Sequence, residues 1–182
     1  FRRGELLENE ERYEKAREAY YEHRSRFPEG DLLDVSLYHG AVTAKKNGEL
    51  YGAALLLERL VEEYPDSAFH SQGLKELAEL YDETGAYEKA VQNYSRFRSL
   101  YPEEAKRFSI ARRIKTIKEI MEGKSPKEAE LSVRVEENGL DSDEGRSAAV
   151  QLAGIYLSRY GENREKLHER ALSLLESVLE YK

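Results

Sequence analysis

The chain has 182 residues, of which 36% are charged, 10% are aromatic and none is cysteine, and its formal net charge at pH 7 is −7. The absence of cysteine excludes disulfides and thiolate metal sites, and the aromatic content argues against a disordered chain. The negative charge argues against nucleic-acid binding, because phosphate contacts favour basic proteins. No apolar run approaches the ~20 residues that a membrane-spanning helix needs.

The N-terminal part of the chain predicts two helices. A short helix is expected around Gly4, and a longer helix that contains Ala16 follows it and ends near Pro28. Because the first helix looks truncated, we expect it to leave the aromatic residues Tyr13, Tyr20 and Tyr21 incompletely covered.

A repeat of 37 residues then dominates the sequence. Three prolines have this spacing, and each follows an aromatic residue; alanines and glycines share the same register. The repeated positions are Phe27-Pro28, Tyr64-Pro65 and Tyr101-Pro102, Ala16, Ala53 and Ala90, and Gly48 and Gly85. Apolar residues at every third or fourth position precede each proline, which cannot continue a helix. Each unit is therefore predicted to be a helix, a glycine turn, a second helix and a stop at proline.

These residues resemble the tetratricopeptide repeat (TPR) family. The matching motif is Leu77-Ala78-x-x-Tyr81, Gly85-x-Tyr87-x-x-Ala90-x-x-x-Tyr94, then Pro102. The resemblance implies an all-α fold, a TPR-like α-α superhelix, that is, a right-handed solenoid of antiparallel helix pairs. Such pairs are stable only when neighbours stack, so we expect one continuous array.

The expected array covers residues 1–182 as a single domain. Its units are 1–30 (truncated), 31–66, 67–103, 104–140 (divergent) and 141–182 (divergent). In the divergent part, Ser125 and Glu128 are predicted to form a capping box, and Asp141 and Glu144 a second one.

No catalytic motif is visible in the sequence. Phosphate-binding loops, His-Glu-x-x-His and Gly-x-Ser-x-Gly are all missing, and the four histidines are not spaced as metal ligands on one helix. We therefore expect no enzymatic activity, no catalytic residues, no metal site and no cofactor.

The TPR resemblance implies that the first helix of each pair lines a concave groove that binds a partner protein or peptide. Tyr38 with Val42 would supply an apolar anchor, since interface hot spots favour tyrosine. Arg112, Lys115 and Lys118 would form a basic stripe for carboxylates. The predicted groove residues are Tyr38, His39, Val42, Lys45, Lys75, Glu79, Arg112 and Lys115.

Two other functions are compatible with the sequence. The apolar last helix favours self-assembly into a homo-oligomer through the end repeats, and the chain is also compatible with an accessory domain of a larger protein. The long unit and the Tyr64-Pro65-Asp66-Ser67 segment are similar to bacterial cell-envelope TPR proteins such as the outer-membrane-assembly lipoprotein and the Tol–Pal accessory protein. That similarity implies a periplasmic or envelope-associated location, with the cytoplasm as the alternative.

Overall fold

The computed structural model describes residues 1–28, 30–159 and 163–181, and these residues form helices and no strand. The prediction of an all-α fold is confirmed. In chain order the helices are α1 (Arg2–Asn9), α2 (Tyr13–Arg26), α3 (Leu33–Lys46), α4 (Leu50–Glu63), α5 (His70–Glu83), α6 (Tyr87–Leu100), α7 (Pro102–Arg107), α8 (Ile110–Met121), α9 (Pro126–Asn138), α10 (Asp143–Ser158) and α11 (Arg164–Leu179). Two compact units are present: Phe1–Ile110, and the described residues from Ala111 onward.

The first unit consists of three helix pairs, α1–α2, α3–α4 and α5–α6, and of the short helix α7. Small residues stand where the helices approach closely: Ala16, Ala53 and Ala90 are all fully buried. Large residues four positions later fill the core of each pair, and they are Tyr20, Leu57 and Tyr94. The 37-residue spacing thus marks equivalent places in successive pairs.

The turns inside the pairs share one left-handed residue. Gly48 and Gly85 have φ angles of +81° and +76°, as a helix C-terminal glycine requires. After Gly85, the Ala86 N–H donates to the Tyr81 carbonyl at 2.8 Å and closes the helix end. In the first pair the equivalent residue is Glu11, with φ +57°. The α1–α2 turn therefore has the same left-handed residue as the turns of the next two pairs, although this residue is not a glycine.

The expectation that Tyr20 is incompletely covered was wrong, because its ring is fully buried. Helix α1 lies directly on the ring, and a Cβ added to Gly4 would stand 2.6 Å from Tyr20. Phe1 packs from the side with ring centroids 5.6 Å apart, and the Tyr20 hydroxyl donates to Glu8 at 2.8 Å. Tyr21 does remain exposed, at 65%, and Tyr13 is half-buried.

Consecutive pairs in the first unit are joined by hydroxyl–carboxylate hydrogen bonds. The Ser67 hydroxyl donates to Asp34 Oδ2 at 2.6 Å. At the next junction the Ser71 hydroxyl donates to Glu104 Oε2 at 2.8 Å. Ser71 lies one repeat after Asp34 and Glu104 lies one repeat after Ser67, so donor and acceptor exchange positions between the two junctions.

Pro102 does more than end a helix. Helix α6 ends at Leu100, and Pro102 is the first residue of α7, a position where the missing proline N–H costs no hydrogen bond. Ser109, with φ +53°, then separates α7 from α8. The divergent segment predicted at 104–140 therefore holds the end of α7 besides the helices α8 and α9.

The second unit packs α9 against α10 and α10 against α11. Its core brings together small and large apolar side chains from these three helices. The buried members are Leu131, Ala148, Leu152, Ala153, Tyr156 and Ala171.

The two predicted capping boxes are only partly present. The Ser125 hydroxyl accepts from the Glu128 N–H at 3.3 Å, as expected. The Glu128 carboxylate, however, accepts from the Arg159 guanidinium. The difference follows from the environment of Glu128, which is buried and faces the guanidinium of Arg159 at the end of α10.

The prediction of Asp141 as a cap for α10 was wrong by one residue. Ser142 is the N-cap, and its hydroxyl accepts from the Gly145 N–H at 3.0 Å. Ser142 has the extended backbone conformation that an N-cap requires. Glu144 lies in the first turn of α10, where its negative charge interacts favourably with the positive end of the helix dipole.

Candidate functional site

The odd-numbered helices of the first three pairs lie side by side and are connected by polar side chains. His39 Nδ1 of α3 lies 3.0 Å from Glu8 Oε2 of α1. Lys45 Nζ of α3 lies 3.1 Å from Glu83 Oε1 of α5. We name the surface formed by these three helices the α1–α3–α5 face.

Tyr38 is the centre of the α1–α3–α5 face. Its ring stacks on Phe69 with a centroid distance of 4.7 Å and an interplanar angle of 24°. His39 packs edge-on against both rings, at 5.5 Å from Tyr38 and 5.6 Å from Phe69. The predicted anchor is therefore half-buried and held in one orientation by its neighbours.

A hydrogen bond fixes the polar end of the same ring. The Tyr38 hydroxyl donates to Glu76 Oε1 at 2.7 Å. Burial raises the pKa of Tyr38 well above its ordinary value, and the hydrogen bond to Glu76 and the charges of Glu76, Glu8 and Glu79 act in the same direction. Tyr38 consequently remains a protonated donor at any physiological pH.

The remaining predicted residues of the first unit lie on the same face. Val42 is half-buried on α3. Lys75 Nζ lies 2.8 Å from Glu79 Oε1, one helical turn further along α5. The same ammonium group lies 5.2 Å from the centroid of the Phe108 ring. The lysines predicted for the groove thus each have a carboxylate partner within the unit.

Arg112 and Lys115 belong to the second unit, where both lie on α8. Arg112 binds the Glu137 carboxylate, and Lys115 binds that of Glu136. The bond to Glu136 raises the pKa of Lys115. These two members of the predicted basic stripe are therefore already neutralised by the acidic pair on α9.

Sequence reasoning left out two residues of the α1–α3–α5 face that contact Tyr38 or His39, namely Glu8 and Phe69. Glu8 was not selected because α1 was read as truncated, although it occupies the same repeat position as Lys45 and Asp82. Phe69 precedes α5 and was read as part of an inter-repeat segment. Glu76 adjoins Lys75 on α5 and also contacts the centre of the face, through its hydrogen bond with Tyr38.

Among the described residues, no group of three or more histidine, aspartate or glutamate side chains is arranged to hold a metal ion. Within the same residues, no helix is both long and apolar enough to cross a membrane.

Comparison with known proteins relates this arrangement to a repeat family. The tetratricopeptide repeat model matches residues 35–67 and 76–104, which include most of α3–α4 and α5–α6. These two segments carry TPR repeats. Repeats of this family generally mediate protein–protein interaction without catalysis. No curated protein sequence matches the chain.

Solved structures agree on the fold. Two crystal structures of nearly identical TPR-like repeats, from a Podosopora anserina chain described as a kinesin light chain, match with TM-scores of 0.53 and 0.52. Each is 15% identical, and the match covers 98% of this chain and 90% of the other. At this identity the likeness concerns the fold alone, and it confirms the prediction of a TPR-like helical solenoid.

Proposed function

We propose that the chain is a non-enzymatic interaction module that binds a peptide or protein segment on the α1–α3–α5 face. The observation that carries this proposal is the fixed orientation of Tyr38, which Phe69 and Glu76 hold in place before any partner arrives. A side chain that is already ordered loses little conformational entropy on binding, so its contacts contribute more fully to affinity. The TPR repeats in the same unit support an interaction role.

The test selects peptides from a displayed random library on the intact chain and measures their affinity by fluorescence anisotropy. Tyr38→Ala should weaken binding about tenfold or more, as expected for a tyrosine hot spot. Tyr51→Ala is the matched control, because Tyr51 is 79% exposed on α4 and lies outside the face. Thermal melts establish that both variants fold.

Two results would remove the proposal. One is the failure of any peptide to bind in the selection. The other is a set of peptides that bind the Tyr38→Ala chain as tightly as the unchanged chain.

Self-assembly is the second candidate, and exposed leucines on the last helix favour it. Leu172 and Leu179 of α11 are 55% and 59% exposed, and Tyr181 beyond them is 54% exposed. Light scattering across a concentration series should give a mass above 21.0 kDa that returns to the single-chain value in Leu172→Glu/Leu179→Glu. A single-chain mass at every concentration would exclude this candidate.

A role in bacterial envelope assembly rests on the 37-residue unit and the Tyr64-Pro65 segment alone. Fractionation of cells that produce the intact parent protein tests it. Recovery with periplasmic or envelope markers would support the proposal, and recovery with cytoplasmic markers would remove it.

A further inference from the structure

The α1–α3–α5 face carries more acidic than basic groups. Apart from the buried Asp82, the charged groups that pair on α3 and α5 or contact Tyr38 and His39 are the carboxylates of Glu8, Glu76, Glu79 and Glu83 and the ammonium groups of Lys45 and Lys75. Lys45 pairs with Glu83 and Lys75 with Glu79. Glu8 and Glu76 are the remaining acids, so the excess negative charge lies beside Tyr38.

The donors to these two carboxylates are not strong cations. Glu8 accepts from the Tyr20 hydroxyl and from the His39 ring at 2.8 and 3.0 Å. Glu76 accepts from the Tyr38 hydroxyl. Among the described residues, neither donor set includes lysine or arginine. The two carboxylates are thus positioned by hydrogen bonds but lack a fixed positive charge.

Aromatic rings surround the same place. Tyr38, His39 and Phe69 form one contiguous cluster of rings, and a cation is attracted to the face of an aromatic ring. At the margin of the face, beside α5, a ring is already combined with cations of the chain, since Lys75 and Arg107 lie 5.2 and 4.7 Å from the Phe108 centroid. The face is therefore acidic at its centre beside Tyr38 and basic at its margin beside Phe108.

From this polarity we infer that the α1–α3–α5 face binds a partner segment that carries arginine or lysine, with a cationic group placed at Glu8 and Glu76 beside the Tyr38 ring. The inference rests on the proposed function and names the chemistry of its partner. Arginine suits the site best, because its planar guanidinium can bridge carboxylates and stack on aromatic rings. Neighbouring apolar side chains of the segment would pack on Val42.

The test uses peptides selected from a displayed random library on the intact chain. We expect the selected peptides to be positively charged, and their affinity to fall as salt is raised, since salt screens exposed charges. Glu8→Gln/Glu76→Gln should weaken binding about tenfold, as expected when charge-assisted hydrogen bonds are lost. Glu62→Gln/Glu88→Gln is the matched control, because these exposed acids lie on α4 and α6 and their removal changes the net charge equally.

If Glu8→Gln/Glu76→Gln is unstable, reversal of the charge at Glu76 alone provides a second test. Glu76→Lys leaves Glu8 in place and should reject the basic peptides while selecting acidic ones. If the two double variants weaken binding equally, the attraction comes from net charge and the inference is wrong.

The remaining outcomes separate the inference from the proposed function. Acidic or neutral peptides whose binding is lost in Tyr38→Ala would overturn the basic-partner inference and leave the proposed function standing. Peptides of any charge that are insensitive to Tyr38→Ala would overturn both.

Discussion

Tyr20 and Glu8 form a hydrogen bond of 2.8 Å that closes the first helix pair from inside. Two repeat lengths further on, the Tyr94 hydroxyl lies 3.4 Å from Asp82 Oδ2 at the equivalent place. The intervening pair has Leu57 at the tyrosine position. The fold thus accepts either a buried phenol with a carboxylate partner or an aliphatic side chain at one repeat position.

Removal of the Tyr20 hydroxyl should destabilise the first unit. Tyr20→Phe keeps the buried ring but leaves Glu8 with one donor fewer, and a hydrogen bond to a charged group contributes about 1.5–3 kcal/mol. Tyr51→Phe should cost less, because the Tyr51 side chain is 79% exposed to solvent. Urea unfolding followed by circular dichroism compares the two variants, and equal costs would contradict the geometric argument.

Glu11→Gly should stabilise the α1–α2 turn. Glu11 has φ +57°, which costs a non-glycine residue about 1–2 kcal/mol. The Glu11 side chain is exposed and, among the described residues, forms no hydrogen bond or ion pair that would offset this cost. The midpoint of urea unfolding should therefore rise. Gly85→Ala is the reverse control, because Gly85 has φ +76° and open space around it, and its midpoint should fall.

Gly73 is required by close packing against α4. A Cβ at Gly73 would stand 2.7 Å from Leu60 Cδ2, and Leu60 is fully buried. Gly73→Ala should therefore cost about 1–3 kcal/mol, the range for an overpacked core. Gly52 is the matched helical glycine, with no neighbour closer than 4.0 Å. Gly52→Ala should stabilise the helix by about 0.5–1 kcal/mol; a loss there as large as at Gly73 would refute the steric explanation.

His70 should make the first unit acid-sensitive. Its Nε2 lies 3.2 Å from the Val61 carbonyl and therefore donates, while Nδ1 accepts from the Tyr101 hydroxyl at 2.6 Å. Burial lowers the pKa of His70 below 6.5, although the Val61 hydrogen bond opposes this shift. The unfolded chain consequently binds the proton more readily, and the stability due to neutral His70 is present above pH 6.5 and is lost as pH falls below it.

The check on His70 is a series of unfolding curves between pH 5 and 8. His70→Leu places at this position the residue found one repeat earlier, Leu33, and should lower stability at pH 8 while reducing its decline toward pH 5. If the stability of His70→Leu falls between pH 8 and pH 5 as much as that of the unchanged chain, groups other than His70 cause the acid sensitivity.

Arg159 should stabilise the second unit through Glu128. The Glu128 side chain is only 5% exposed, whereas that of Arg159 is 39% exposed. Arg159→Met leaves a buried carboxylate without its cation, and we expect a loss of about 2 kcal/mol after allowance for solvent access. Arg134→Met is the control: Arg134 pairs with Glu130 at the surface, and such pairs contribute about 0–1 kcal/mol. Similar losses for the two variants would contradict the difference in burial.

Much of the first unit could be predicted from periodicity. The order of helix, glycine turn and second helix follows from the apolar spacing, and the glycine turns at Gly48 and Gly85 have the predicted left-handed conformation. The left-handed conformation of Glu11 could not be predicted, because the sequence has no glycine at this turn and the surrounding structure imposes the conformation on a glutamate. Pro102 was ambiguous, since proline both ends one helix and suits the first turn of another.

The candidate site was less predictable. Helical periodicity places Tyr38, Val42 and Lys45 on one helix face, but it does not show which residues of other helices meet them. The contacts of Tyr38 with Phe69 and Glu76 span 31 and 38 residues, and they depend on how consecutive pairs stack. The role of the predicted groove residues in binding stays a prediction.

The hydroxyl and carboxylate positions are exchanged between the two junctions of the first unit, and this exchange limits which repeats can be deleted or recombined. Excision of residues 67–103 removes one whole period and would join the segment that bears Asp34 directly to the segment that bears Glu104. Two carboxylates would then face each other where each now accepts a serine hydroxyl. The repeats are equal in length but not interchangeable, so recombination between them would need a compensating substitution such as Glu104→Ser.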